Sequence, residues 1–344
     1  VLPLSLLLSA ALASAPVPAP AAHAAPVSAA PGEPDVPGID FHAWAEGGWL
    51  VTDGDHTDGV EQRPFLSMAR ISSRTDHTLS RYNAAEHVGS FLQLEGKNGT
   101  VELLDARVEL DLRHGVHLRA GRFKTAVSNE FLVPAMKMLT ARRPHYVDVT
   151  PQRRTGVEVD LRPSVDDGHI NVQLGAFGAD DPWALGEETG DDALLTARVR
   201  HIGESHLLLH AGFMERTGLS EPELEAREHV RRELDLAAGL ERDDAQVVFE
   251  GIVADRGAGL GAPTYGGGVT VGRRFGELKG EKLAFEPVFA ADALVDGDAH
   301  EICEDVGLNV FWDGWNLVQR TQVTFFQTDE GNHWVASAQL RGGF

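Results

Sequence analysis

Residues 105–125 read DARVELDLRHGVHLRAGRFKT. From 105 to 113 the odd positions are Asp105, Arg107, Glu109, Asp111 and Arg113, and the even positions are Ala106, Val108, Leu110 and Leu112. A period of two is the signature of a β-strand and puts all five charges on one face. His114 and Gly115 make a tight reversal, after which Val116, Leu118 and Ala120 alternate with His117 and Arg119. The stretch is therefore a hairpin with one apolar and one charged face. In a soluble sandwich the charged face looks at bulk water; in a membrane barrel it looks into a lumen.

The same rhythm recurs along the chain. Strand-like runs fall near 39–51, 62–73, 88–95, 102–112, 116–123, 154–162, 169–178 and 192–201, and near 205–215, 229–241, 246–255, 265–275, 281–292, 302–311, 315–327 and 333–344. Sixteen is an even number, and the runs approach the roughly 9–11 residues a tilted membrane strand needs. No run reaches the roughly 18 consecutive apolar residues of a transmembrane helix, so a membrane crossing has to use strands. With 344 residues, 42% hydrophobic residues and 37 Gly, the chain is too apolar to be disordered. The fold expected is all-β, a transmembrane antiparallel up-and-down barrel of about sixteen strands over 39–344.

Connection lengths agree with a barrel that has short turns at one end and longer loops at the other. Those at 113–115, 163–168, 203–204, 242–245, 276–280 and 312–314 read as short, and those at 124–153, 179–191, 216–228, 256–264 and 293–301 as long. Two break the alternation, a long one at 74–87 and a short one at 96–100. The acidic excess behind the net charge of −22 gathers at 179–191, 215–229 and 292–305, which read as solvated loop surface.

The ends carry their own signals. Residues 1–24, with an apolar stretch to Leu12 and Ala22-His23-Ala24, read as a signal peptide, and the Pro- and Ala-rich 25–38 as a linker. At the other end Trp334, Ala336, Ala338, Leu340, Gly342 and Phe344 share one parity, with His333, Ser337, Gln339 and Arg341 on the other. An amphipathic strand closed by an aromatic resembles the C-terminal signature of bacterial outer-membrane barrels. Trp312 and Trp315 suit an interfacial girdle.

Little points to chemistry. Cys303 is the only cysteine, which excludes an intrachain disulfide framework and a cysteine zinc cluster. GAGLGA at 257–262 spells a dinucleotide fingerprint but leads through Pro263 into a strand rather than a helix. NGT at 98–100 reads as a turn. His206 and His210 share a strand face without a third ligand. No metalloprotease, nucleophile-elbow or Walker motif is present. The reading is thus not an enzyme, with no cofactor, no metal and no nucleic-acid partner.

One region is basic. Between 119 and 154 lie Arg119, Arg122, Lys124, Lys137, Arg142, Arg143, Arg153 and Arg154 against Glu130 and Asp148, a balance of +6 that leaves −28 for the remainder. Within it Gly121, Arg122, Phe123, Lys124, Thr125 and Ser128, followed by Arg153, Arg154 and Gly156, resemble the phosphate-selective porin O/P family over about fifty residues. Where that family usually has Pro after Lys-Thr, this chain has Ala126. The resemblance implies a bacterial outer-membrane porin, a homotrimer in contact with outer-membrane lipid. In it the 124–153 connection folds inward as the constriction and the eight cations bind small anions such as phosphate or organic acids.

Two details test this. Strict alternation from Leu118 points Arg122 at lipid, unless a bulge near Gly121 turns it inward. The cations also have lumen acids within reach, Glu109, Asp111, Glu158 and Asp160, which would make them wall braces instead. A weakly selective general porin and a secreted, soluble all-β binding protein are the competing functions.

Overall fold

Alternation as strict as that of 105–123 builds a sheet with two unlike faces, and such a sheet is stable only where each face meets a different solvent. A computed structural model describes residues 38–53, 61–78, 85–97, 100–133, 138–165, 168–178, 193–203, 205–217, 230–255, 262–276, 283–313, 317–329 and 331–343. The expected signal peptide and nearly all of the linker, GAGLGA up to its last residue, Trp315, Lys137 and Phe344 lie outside the described residues. Among the described residues no helix is long and apolar enough to cross a membrane.

The strands are β1 (Gly38–Asp53), β2 (Glu61–Thr78), β3 (Ala85–Lys97), β4 (Thr100–Leu112), β5 (Val116–Lys124), β6 (Arg153–Leu161), β7 (Ser164–Val165), β8 (Gly168–Gly178) and β9 (Ala193–Gly203). They continue as β10 (Leu207–Thr217), β11 (Arg232–Glu241), β12 (Ala245–Asp255), β13 (Thr264–Arg273), β14 (Ala284–Asp296), β15 (Ala299–Asp313), β16 (Leu317–Thr328) and β17 (Gly331–Gly343). The two-residue β7 pairs with β8 just beyond β6, so the two are one stave interrupted at Arg162 and Pro163. Each stave is antiparallel to the next, and β1 pairs with both β2 and β17. The result is a closed sixteen-stave, up-and-down barrel without a free edge, and a soluble two-sheet sandwich is excluded.

All sixteen expected strands are present. The faces are inverted relative to a soluble protein, whose interior is apolar. On β10, Leu207, Leu209 and Phe213 are exposed outward while His210 and Arg216 are buried. On β14, Phe285 and Phe289 face out and Glu286 and Asp292 face in. Val108 is 50% exposed, and Leu340 likewise faces out beside the buried Arg341. The charged face of the opening hairpin thus lines the lumen, and Trp312 sits on the outer surface, 50% exposed.

Three expectations change. The connection read as 293–301 is a tight turn at Gly297, with φ 65°, because β14 and β15 pair out to Asp296 and Ala299. The acids of 292–305 therefore belong to a hairpin rather than to a solvated loop. β2 runs on to Thr78, which shortens the 74–87 connection. His206 lies in the turn before β10, at φ 62°, so it shares no strand face with His210.

Candidate functional site

The connection from β5 to β6 folds into the lumen. Ser128 caps a one-turn helix, α1 (Asn129–Leu132), by accepting from Phe131 N at 3.1 Å. The carboxylate of Glu250, from β12, then accepts from Ser128 Oγ at 2.7 Å, Asn129 N at 2.8 Å and Glu130 N at 2.9 Å. A carboxylate at a helix N-terminus meets both the unsatisfied N–H groups and the positive end of the dipole. Further on, a 3-10 turn spans His145–Val149, and Thr150 donates to Glu233 at 2.8 Å.

The loop crosses the inner wall from β10 to β16. Asn309 donates to Leu139 O at 2.9 Å, Arg320 to Met138 O at 2.6 Å, and Ala141 N to Gln322 at 2.6 Å. Phe131, Tyr146, Val147 and Val149 pack on Ile252 and Leu294. Glycines on the wall make room for this. A Cβ on Gly212 would lie 2.1 Å from Val127 O, and one on Gly266 2.4 Å from Tyr146 Cβ. Gly212→Val is therefore expected to lift the start of the loop and cost about 1–3 kcal/mol, as overpacking does. Calorimetric unfolding of the detergent-solubilised barrel checks this, and an unchanged midpoint would contradict it.

Between the loop and the opposite wall lies a cavity of about 940 Å³. Among the described residues, nine Arg and Lys side chains against five Asp and Glu line it. Of the eight cations expected from sequence, Arg122, Lys124, Arg143, Arg153 and Arg154 are among the nine. Lys124 and Arg143 are held by backbone rather than by carboxylates. Lys124 Nζ donates to Phe131 O at 2.6 Å, and Arg143 donates to Glu130 O and, at 2.7 Å, to Val133 O. For Arg143, such partners orient the guanidinium without cancelling its charge.

Arg122 is only 6% exposed and donates to Leu103 O at 2.9 Å. The bulge expected at Gly121 is not there. Registers run unbroken through Gly121, which instead takes φ 128°, and a Cβ would come within 2.2 Å of Ala106 O. The extra residue sits in the neighbouring strand, where Gln93 faces Asp105 and Leu94 faces Leu103, leaving Leu104 unmatched.

Two of the eight are braces. Arg119 reaches Glu158 at 3.0 Å, Glu109 at 3.6 Å and Asp160 at 3.8 Å. Arg142 reaches Asp292 at 2.7 Å and Asp305 at 3.0 Å, pinning the loop to β14 and β15. Arg153 lines the cavity but also pairs with Asp105 at 3.4 Å. Sequence reasoning missed Arg70, Lys97, Arg216 and Arg341, which line the same cavity. Arg70 pairs with Glu95 and Arg341 with Glu46. The available signal was parity, since Arg341 falls on the polar side of its strand.

The loop's own ionisable groups respond to this packing. Burial, reinforced by the Glu250 carboxylate, pushes the Glu130 carboxyl up to about 7. Burial pulls Arg143 down to about 10 against the attraction of Glu130. Burial and then Glu250 raise Tyr146, and burial raises Asp148. For Arg142 burial opposes the charge, but Asp305 and Asp292 outweigh it and the pKa rises. Because the docked Glu130 carboxyl binds its proton more tightly than an ordinary carboxyl of about 4.5, it favours docking fully below about 4.5. That contribution is lost as pH rises through about 7. Open-channel noise is expected to grow over this window in the native chain and to stay flat in Glu130→Gln.

No family profile and no curated protein matches the chain. Solved structures do. The anion-selective porin from Comamonas acidovorans superposes with a TM-score of 0.66 at 10% identity, over 90% of this chain and 100% of that one. OmpT, an outer membrane protein of Vibrio cholerae, in its in-vitro folded trimer form, gives 0.59 at 9% identity over 90% and 100%. A mutant of Rh. blastica porin gives 0.56 at 11% identity over 89% and 100%. At these identities the likeness is one of fold.

Proposed function

We propose that this sixteen-stave barrel is an outer-membrane porin that lets small anions, such as phosphate or organic acids, diffuse down their gradient. The observation that carries the reading is the cavity under the inward loop, where nine cations face five acids. Arg143, bonded to backbone carbonyls, keeps its charge available to a passing solute. A narrow lumen with low-dielectric walls magnifies such a field, and Arg grips an oxyanion through two N–H groups. No acid–base or covalent step is involved. The barrel's apolar exterior supports contact with lipid, and residues 1–24 fit export. The resemblance to the phosphate-selective O/P family, and one neighbour's trimer form, support a homotrimer.

The pairing of Arg70, Arg341 and Arg119 with wall acids favours a second reading, a weakly selective general porin. Single-channel recording in a planar bilayer under a salt gradient separates the two. A reversal potential on the anion side is expected; one near zero supports the general porin, and one on the cation side removes the basic constriction from the account. A chain that stays soluble without detergent and never conducts sinks both.

A further inference from the structure

Where the inward loop ends its traverse, three side chains of different kinds converge. His145 opens the 3-10 turn of the loop, Asp292 lies on β14 and Cys303 on β15, and their ligand atoms all fall within 4.8 Å of one another. His145 Nδ1 is 3.5 Å from Cys303 Sγ and 3.1 Å from Glu301 Oε2. Around a tetrahedral metal with bonds of about 2.3 Å to sulfur and about 2.0 Å to nitrogen or oxygen, ligand atoms stand roughly 3.3–3.5 Å apart. The His145–Cys303 separation is thus that of a coordination edge, while His145 and Glu301 stand at hydrogen-bond distance. Asp292 accepts from Arg142 through Oδ1 and from His145 N through Oδ2, which fixes the carboxylate and leaves lone pairs on both oxygens.

We propose that His145 Nδ1, Cys303 Sγ and the Asp292 carboxylate bind one borderline-soft divalent cation of the Zn²⁺ class, with the fourth position open to lumen water. A mixed nitrogen, sulfur and oxygen set suits such an ion and not Ca²⁺ or Mg²⁺, which take oxygen ligands. The Asp292 carboxylate and the Cys303 thiolate together neutralise a 2+ ion, and Arg142 stands between Asp292 and Asp305. His145 and Glu301 line the lumen cavity while Cys303 is buried, so the ion enters from the lumen side. Binding needs His145 in the tautomer with its proton on Nε2. The Cys303 thiol releases its proton to lumen water as the sulfur–metal bond forms, with no change of oxidation state. The ion would bridge the loop to two wall strands and so set how firmly the constriction is held. This inference does not depend on which ions the lumen conducts.

The test uses the full chain in detergent, stripped with a chelator and titrated with Co²⁺. One equivalent is expected to produce a thiolate-to-cobalt charge-transfer band that Zn²⁺ abolishes by displacement. Cys303→Ser is expected to remove the band. His145→Ala, on the loop and outside the strands, is expected to weaken Co²⁺ roughly tenfold or more, since even an outer-shell partner is worth that much. No band in the native chain, a band that survives Cys303→Ser, or unchanged affinity in His145→Ala would each overturn the proposal. In that event His145 and Glu301 are an ordinary hydrogen-bonded pair. Because the readout is spectroscopic, its failure is distinguishable from a failure of anion conduction.

Discussion

Replacing Lys97, Arg143 and Arg154 together by Gln is expected to lower the anion-to-cation permeability ratio by about tenfold or more. A unit charge about 4 Å from a passing ion is worth about 1 kcal/mol even in bulk water, and more beside low-dielectric walls. Removing three such charges from a cavity lined by nine cations and five acids leaves six against five. The electrostatic reason for anion preference then disappears. Reversal potentials at low and high salt check this, and screening should shrink the difference between variant and native chain as salt rises. A variant with native selectivity would mean that the cations only brace the wall. Arg119→Gln is the matched control. Its charge is already answered by Glu158, Glu109 and Asp160, so its loss should leave selectivity much closer to native.

The second large effect is expected at Glu250. Its carboxylate is the shared acceptor for Ser128 Oγ, Asn129 N and Glu130 N, all buried. Glu250→Ala leaves three donors without a partner, at about 1–3 kcal/mol each, so docking of the loop should weaken by roughly 3 kcal/mol or more. The barrel itself keeps its interstrand ladder. Single-channel traces should therefore show a larger, noisier open state, while heat-modifiable mobility on a denaturing gel stays native. Glu250→Gln, which keeps an acceptor oxygen, should fall between the two. A native conductance and noise level in Glu250→Ala would show that the remaining contacts hold the loop without it.

The strands were legible because an apolar outer face and a polar inner face make parity strict, as Val108 against Arg107 and Leu340 against Arg341 illustrate. The same physics misled at 292–305. Asp292, Asp296, Asp298, Glu301, Glu304 and Asp305 around one Gly look like a solvated loop, yet Asp292 and Asp305 are wall residues that hold Arg142. In a barrel with a wet interior, acidity does not separate loop from strand. Five cations of the basic island line the cavity under the loop. The island did not tell lumen cations from braces, because the carboxylates that decide the matter arrive from distant strands. Arg70 and Arg341 lie far from the basic island in sequence, and only the closure of β1 on β2 and β17 brings them to the cavity.

The sequence distances across the loop's bonds also order events in time. Ser128 finds its acceptor 122 residues later, Arg142 its carboxylate 150 residues later, and Met138 its donor 182 residues later. Contacts between such remote segments require the intervening chain to be ordered first, and topologies rich in them fold slowly. The partners lie on β12, β14 and β16, so the loop has nowhere to bind until most staves have joined. A barrel caught in mid-assembly is therefore a wide ring with an idle flap, and narrowing of the passage is the last step of its maturation.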